Sequence, residues 1–216
     1  MSIVCLKNPE LLEIQNPNGS KSVGGSQYWY PKEGFIPPGA CGATVASNAL
    51  FYLLTAKKHL YNMAESTGLT GFSIPVSKTE FLEFMKKNYR FLYPRAGGLM
   101  AHHFEEGMLE LANEYKLPIG TECLKIPISR SKRPPFEQVS EFLVKTLEND
   151  SPVAFLILSK GSVSVLDTWH WVTILCYDEE NERAQITDNG NVFWADLHEW
   201  LETSIMGGAF VRLVEI

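Results

Sequence analysis

Residues 39–54 read GACGATVASNALFYLL, a short Gly-rich stretch that runs directly into an apolar helical pattern. Pro37 and Pro38 precede this stretch, so we expect the helix to begin at or near Cys41. The first N–H groups of a helix have no partners within it, and its N-terminus carries about half a positive charge. This environment favours a thiolate over a thiol, which makes Cys41 the candidate nucleophile.

Further helix patterns follow this stretch. The first helix is expected to continue to about residue 64. Ser77 with Glu80 three residues later is a capping-box pattern, which predicts a second helix from Ser77 to about Asn88. Two more helices are predicted over about 102–115 and 136–148.

The pattern then changes from helix to strand. Strand-like apolar runs occupy residues 152–158, 168–177, 183–187 and 209–216, and a short helix is expected over 195–202. Asn189-Gly190 is a strong hairpin-turn signal that leads into a further strand at Val192 to Trp194.

Helices therefore come first and antiparallel strands second, which predicts an α+β fold rather than an alternating α/β fold. A chain of 216 residues with 45% hydrophobic content suits one domain with a substantial core. We expect an irregular segment over about 1–40, a helical lobe over about 41–149 and a β lobe over about 150–216. The pattern predicts no particular oligomeric state.

Composition and charge limit which partners and which cellular location we expect for this protein. The formal net charge of −6 and the pI near 5.4 argue against a nucleic-acid or anionic-membrane surface. The start of the chain lacks a secretory signal pattern, and no apolar run approaches the ~18 residues that cross a bilayer. We therefore expect no nucleic-acid partner, no membrane contact and a cytoplasmic location.

The four cysteines form no C-x-x-C pair, which argues against zinc-ribbon and thioredoxin-like sites. Their number in a chain of this length does not indicate a disulfide scaffold. Cys176 lies in an apolar strand pattern, so we expect it to be buried and inert, and Cys123 likewise. The role of Cys5 stays open.

Among the five histidines, His170 differs because it lies between two tryptophans at the start of an apolar strand. A core histidine bonded to the backbone is the alternative interpretation. Asp188 ends the next strand, so antiparallel pairing can bring it beside His170, where it would set the ring tautomer. Asp188 could instead cap its own hairpin, and Asn189 is the second candidate for the orienting residue.

An ordered Cys, His and Asp of this kind resembles the papain-like cysteine peptidase superfamily. Gln27 with Cys41-Gly42-Ala43-Thr44, His170-Trp171-Val172 and Asp188-Asn189-Gly190 are most similar to bacterial double-glycine-leader (bacteriocin-processing) peptidases and their stand-alone relatives. The resemblance implies a helical lobe packed on a β-sheet lobe, with the site in the cleft between them. It further implies a peptide or small acyl substrate and no cofactor.

The resemblance also implies a role for Gln27, whose side-chain N–H would join the Cys41 backbone N–H in an oxyanion hole. Thirteen residues separate Gln27 from Cys41, more than in papain-type enzymes. Residues expected to bind substrate are Trp29, Gly39, Trp169, Trp171 and His102. His102-His103 at a helix start lacks further ligands nearby in sequence, so no metal site is predicted.

The sequence thus favours a thiol hydrolase that cleaves a peptide or amide bond through an acyl-enzyme. The first alternative is an acyltransferase that uses the same Cys41, His170 and Asp188. The second is a non-catalytic binding module on the same scaffold.

Overall fold

A computed structural model describes residues 3–31, 39–95 and 98–216. Part of the segment predicted to be irregular, residues 32–38, therefore lies outside the described residues. So do Ala96 and Gly97 in the Gly/Pro loop that precedes the third predicted helix.

Ten strands and six helices make up the described part of the chain. The strands are β1 (Ile3–Cys5), β2 (Glu13–Gln15), β3 (Lys21–Val23), β4 (Val76–Ser77), β5 (Ile119–Ile126), β6 (Val153–Ile157), β7 (His170–Asp178), β8 (Arg183–Asp188), β9 (Asn191–Asp196) and β10 (Gly208–Glu215). The helices are α1 (Cys41–Ala56), α2 (Lys58–Ser66), α3 (Lys78–Tyr89), α4 (Ala101–Glu114), α5 (Phe136–Glu148) and α6 (Leu197–Thr203).

A seven-stranded sheet forms the centre of the structure. Six strands follow the order β5-β10-β6-β7-β8-β9, the seventh, β1, pairs with β7, and all pairs are antiparallel. Every residue of β6 and β7 is buried, as their continuous apolar runs predict for central strands. Helix α1 packs against β7, β6 and β10, and α5 packs against β6 and β7. The predicted α+β fold, with N-terminal helices on an antiparallel sheet, is confirmed.

Local signals place several elements where the sequence predicts them. The capping box at Ser77 is present, because its hydroxyl accepts from the Glu80 N–H and the Glu80 carboxylate accepts from the Ser77 N–H. Asn189 and Gly190 have φ of 50° and 87°, the positive values that a tight two-residue hairpin turn requires. They join β8 to β9.

The first helix differs from the prediction, because it breaks at Lys57 into α1 and α2. Lys57 adopts an extended backbone, and both Lys57 and His59 form ion pairs with Glu215 on β10. Burial changes at the same point: residues 41–54 are all buried, whereas only Leu60 and Ala64 are buried in α2. The helical sequence pattern continues through Lys57, so we attribute the break in the helix to the tertiary contact with Glu215.

Strand β5 was not predicted, and it brings part of the expected helical lobe into the sheet. It pairs along its whole length with β10 and forms one edge of the sheet. Only its first and last residues, Ile119 and Ile126, are buried, so its apolar pattern is weak. Pairing with a strand about 90 residues later in the chain makes it a strand.

Cys176 is buried, as expected, and it forms a disulfide with Cys5, which the sequence did not predict. Strand β1 pairs with β7, and the two cysteines lie directly opposite each other. A local pattern cannot reveal a partner that lies 171 residues away. Disulfides are typical of oxidising compartments, in contrast to the cytoplasmic location expected from the sequence.

Within residues 3–31, 39–95 and 98–216, no helix combines the length and apolarity needed to span a bilayer.

Candidate active site

Helix α1 presents Cys41 as its first residue. Ala40 precedes it as the N-cap and offers no side-chain hydrogen bond, so no cap competes for the N–H groups of the first turn. The neighbouring Gly42 lets this turn pack tightly, since a Cβ there would lie 2.5 Å from Leu99 Cδ2 and 3.2 Å from Trp171 Cδ1. The start of α1 therefore packs closely against Trp171, the residue that follows His170.

His170 and Asp188 meet across neighbouring strands. His170 is the first residue of β7 and Asp188 the last residue of β8. Their side chains are largely buried, and His170 Nε2 lies 2.8 Å from Asp188 Oδ1. Because the carboxylate accepts from Nε2, the other ring nitrogen, Nδ1, is left for Cys41.

The electrostatics of His170 link it to both neighbours. Burial of the ring opposes its protonation. The hydrogen bonds and electrostatic interactions with Asp188 and Cys41 outweigh burial and raise the pKa of His170 from 6.5 to about 10. A protonated His170 between a carboxylate and a sulfur is therefore the favoured state at neutral pH. In cysteine nucleophiles generally, an imidazolium next to a thiolate is the reactive form.

Asn189 connects the Asp188 carboxylate to the segment that contains Gln27. Its amide nitrogen donates to Asp188 Oδ1 at 2.8 Å. Its amide oxygen accepts from Ser26 Oγ and from the Gln27 backbone N–H, each at 3.1 Å. The second candidate orienter thus does not contact His170 itself; instead it holds Asp188 and the Gln27 backbone in register.

This arrangement holds the backbone of Gln27 beside the β8–β9 turn, although thirteen residues separate Gln27 from Cys41 in the chain. The N–H of Val23 donates to the Gly190 carbonyl at 3.1 Å, so residues 23–27 are bonded to the β8–β9 turn at Gly190 as well as at Asn189. No described residue forms a hydrogen bond with the Gln27 side chain, which is half-buried.

Asn48 is a site residue that sequence analysis missed. It is 2% exposed on α1, and its amide oxygen accepts from the Gly25 N–H at 2.8 Å while its amide nitrogen donates to Thr173 Oγ1 at 3.0 Å. It therefore ties the Gln27 segment to the Cys41 helix and to the His170 strand. The available signal was a polar amide in an otherwise apolar helical run.

The residues predicted to bind substrate take different places. Trp171 is 2% exposed, donates from Nε1 to the Leu99 carbonyl at 2.7 Å and stacks on Phe104, and it also lines the small cavity at Cys41. Trp29 is half-buried against Phe81, with Lys78 over its ring. Both have packing roles in this structure.

The other three lie nearer the surface. Gly39 has φ of 123°, and its carbonyl lies 3.9 Å from Cys41 Sγ. Trp169 is 53% exposed beside His170. His102 is exposed on α4 and contacts the ring of His103. Among the described residues, no group of three or more His, Cys, Asp or Glu side chains could hold a metal ion.

No protein-family model and no curated protein matches the chain. Among solved structures, it is similar to the peptidase domain of Streptococcus ComA, a bi-functional ABC transporter involved in a quorum-sensing pathway. Identity is 13% and the TM-score 0.40, over 84% of this chain and 95% of that one.

A second similar structure is the N-terminal peptidase C39 like domain of the toxin secretion ATP-binding protein from Vibrio parahaemolyticus. Identity there is 10% and the TM-score 0.36, over 80% of this chain and 97% of that one. Both are peptidase domains, the class of protein that the sequence resembles.

Proposed function

We propose that this protein is a cysteine peptidase-like thiol hydrolase that cleaves a peptide or amide bond through an acyl-enzyme. The observation that supports this most directly is the state of His170, whose ring interacts with Asp188 on one side and with Cys41 on the other. A buried histidine with a purely structural role has no need of a thiol at a helix start as its second partner.

In the proposed first half-reaction, the Cys41 thiolate attacks the carbonyl carbon of the substrate. The negative charge moves to the carbonyl oxygen, where the Cys41 backbone N–H and the Gln27 side-chain amide would stabilise it. Protonated His170 then gives its proton to the leaving amine as the C–N bond breaks. A thioester on Cys41 and a neutral imidazole result.

In the second half-reaction, neutral His170 takes a proton from water, which attacks the thioester. The C–S bond breaks, the acid product leaves, and the thiolate and imidazolium are restored. Asp188 keeps Nε2 protonated throughout and so directs Nδ1 at the reacting atoms. The Asn189 bridge supports this proposal because it holds Asp188 and the Gln27 backbone together.

Alkylation of the two free thiols, Cys41 and Cys123, tests the nucleophile. Burial and the nearby Glu105 carboxylate raise the pKa of Cys123 to about 11, so this thiol serves as an internal control. At pH 7, iodoacetamide should modify Cys41 at least ~100-fold faster than Cys123, measured by peptide mass spectrometry. In His170→Ala the rate at Cys41 should fall, because the thiolate loses its imidazolium partner.

Cleavage of peptides by the wild type, compared with Cys41→Ala, tests the reaction itself. Loss of all cleavage in Cys41→Ala is the expected outcome. Equal alkylation of Cys41 and Cys123, or cleavage that survives in Cys41→Ala, would contradict the proposal. If the acyl-enzyme reacts with an added amine and not with water, the protein is an acyltransferase.

A further inference from the structure

The Asn48 side chain joins α1 to two segments that are distant in the chain. Asn48 lies seven residues after Cys41, which is about two helical turns, so the two residues share a face of α1. Its buried amide accepts from the Gly25 N–H and donates to Thr173 Oγ1, across 23 and 125 residues of sequence. A buried amide on an apolar helix needs such partners, so the positions of all three residues depend on one another.

Two threonines extend these contacts to β8. Thr173 on β7 lies directly opposite Thr187 on β8, and both residues are buried. The Thr187 hydroxyl donates to the Val23 carbonyl. The segment of residues 23–27 is therefore bonded to β8 as well as to α1. We call Asn48, Thr173 and Thr187 the buried polar cluster.

Gly24 shows how closely the segment of residues 23–27 approaches this cluster. Its φ is 72°, and a Cβ at this position would lie 2.8 Å from Asn48 Nδ2 and 3.0 Å from Asn48 Oδ1. A side chain here would push the backbone away from the amide. Because only glycine fits, close contact with Asn48 is built into the segment.

The buried polar cluster also borders the candidate nucleophile. One small cavity is lined by Cys41 together with Gly25, Asn48, Thr187 and Asp188, among others. A shift of Gly25 away from Asn48 would therefore change the same space in which Cys41 and Asp188 lie. The cluster thus connects the position of residues 23–27 with the geometry at the sulfur.

We propose that Asn48 is a positioning residue of the active site. Its amide holds residues 23–27 against α1 beside Cys41, so that the Gln27 side chain lies where the oxyanion forms. This rests on the proposed function, in which the Gln27 amide and the Cys41 N–H stabilise that oxyanion. Asn48 acts through Gly25 and not through the thiolate. Acyl transfer should therefore depend on Asn48, whereas a reaction of the thiolate that forms no oxyanion should not.

Two small probes separate these reactions without a known substrate. Iodoacetamide reacts with Cys41 Sγ at a saturated carbon, where iodide leaves and no oxyanion forms. With p-nitrophenyl acetate, Sγ bonds to the carbonyl carbon, the ester C–O bond breaks and p-nitrophenolate leaves, so the tetrahedral intermediate carries an oxyanion. Peptide mass spectrometry gives the alkylation rate. The absorbance of p-nitrophenolate, less that released by Cys41→Ala, gives the acylation rate.

Asn48→Leu keeps the approximate shape of the side chain and removes both hydrogen bonds. Acylation by p-nitrophenyl acetate should slow at least ~10-fold because the oxyanion donor is displaced, whereas alkylation by iodoacetamide should stay within ~3-fold. Thr173→Val removes one bond of the amide and should change the ratio of the two rates in the same direction. Thr173→Ser keeps the hydroxyl, so it should restore the wild-type ratio.

Asn88→Leu is the matched control. Asn88 is buried on α3, and its amide donates to Ser47 Oγ on α1 at 3.0 Å, so this change also removes a buried amide bonded to the Cys41 helix. It should lower the melting temperature and keep the ratio of acylation to alkylation. All rates are measured well below the melting temperature of each variant, so that unfolded protein does not contribute.

An equal fall of both rates in Asn48→Leu, or an unchanged ratio, would overturn the positioning role while leaving Cys41 chemistry intact. A ratio that changes as much in Asn88→Leu would overturn it too. Failure of the proposed function looks different, because the wild type would then release p-nitrophenolate no faster than Cys41→Ala. If Asn48→Leu does not fold, the ratios of Thr173→Val and Thr173→Ser decide the question.

Discussion

Asp188 contributes to the site through its charge on His170. The carboxylate accepts from Nε2 and is a main reason why the pKa of His170 is raised to about 10, against the effect of burial. The proposed reaction needs a protonated His170 to release the amine. Activity should therefore persist well above neutral pH and decline as the pH rises through the folded pKa.

Replacing Asp188 with Asn tests this contribution. Without the carboxylate, the pKa of His170 should fall toward its ordinary value, so the alkaline limb of kcat/KM against pH should shift to lower pH by at least one unit. The rate at neutral pH should fall by about 10²–10⁴-fold, because the amide no longer selects the tautomer. Glu215→Gln removes the carboxylate partner of His59 on another surface, so it should leave the profile unchanged.

The raised pKa also affects stability. A group whose folded pKa exceeds its unfolded value stabilises the fold fully below the unfolded pKa, and this contribution is lost as pH rises through the folded pKa. For His170 that window runs from about pH 6.5 to about pH 10. The melting temperature of the wild type should fall across this window more steeply than that of Asp188→Asn.

At the scale of elements, the β8–β9 hairpin turn reverses the chain and also forms hydrogen bonds with other segments. Asn189 and Gly190 in this turn bind both Asp188 and the segment of residues 23–27. Asn189 has a positive φ of 50°, and its side-chain amide forms the bonds to Asp188, Ser26 and Gln27. The turn therefore sets the distance between the orienting carboxylate and the candidate oxyanion donor.

Two substitutions at Asn189 distinguish the contribution of its side-chain amide from the contribution of its backbone conformation. Asn189→Gly keeps the positive φ but removes the bonds to Asp188 and to the Gln27 segment, so kcat should fall by about 10–10²-fold. Asn189→Ala should lose the same activity and should also melt at a lower temperature, because Ala is strained at that φ.

Lys116→Gly is the matched control, since Lys116 has a similar φ of 52° and is exposed after α4. It should keep wild-type activity. Wild-type kcat in Asn189→Gly would show that the amide does not position the site.

At the scale of the whole molecule, the Cys5–Cys176 disulfide closes nearly the entire chain into a loop. It fixes β1 beside β7, the strand that begins with His170. The closed loop spans 171 residues, for which the chain-entropy relation gives a contribution of about 5 kcal/mol to the free energy of unfolding. Native-state strain and residual structure in the unfolded chain reduce such values.

Reductant should therefore lower the melting temperature of the wild type. Cys5→Ser should melt at about the temperature of the reduced wild type and should not respond to reductant. Cys123→Ser keeps the disulfide and should respond as the wild type does. Thiol counts on the unfolded wild type should be two before reduction and four after it; four before reduction would contradict the bond.

Local sequence determined much of this protein. The helix pattern over 136–148, the capping box at Ser77 and the Asn189-Gly190 turn depend on interactions between near neighbours, so they could be predicted. The positions of Cys41, His170 and Asp188 in the fold could also be predicted, because each residue lies at the start or end of an element with a clear sequence pattern.

Only the tertiary structure decided the contacts between distant segments. The pairing of β1 with β7, the pairing of β5 with β10 and the Asn189 bridge to Gln27 all join residues far apart in sequence. The burial of Trp171 belongs here too, since its indole is satisfied by the Leu99 carbonyl. Local patterns reflect periodicity and propensity, whereas these contacts depend on how the whole chain packs.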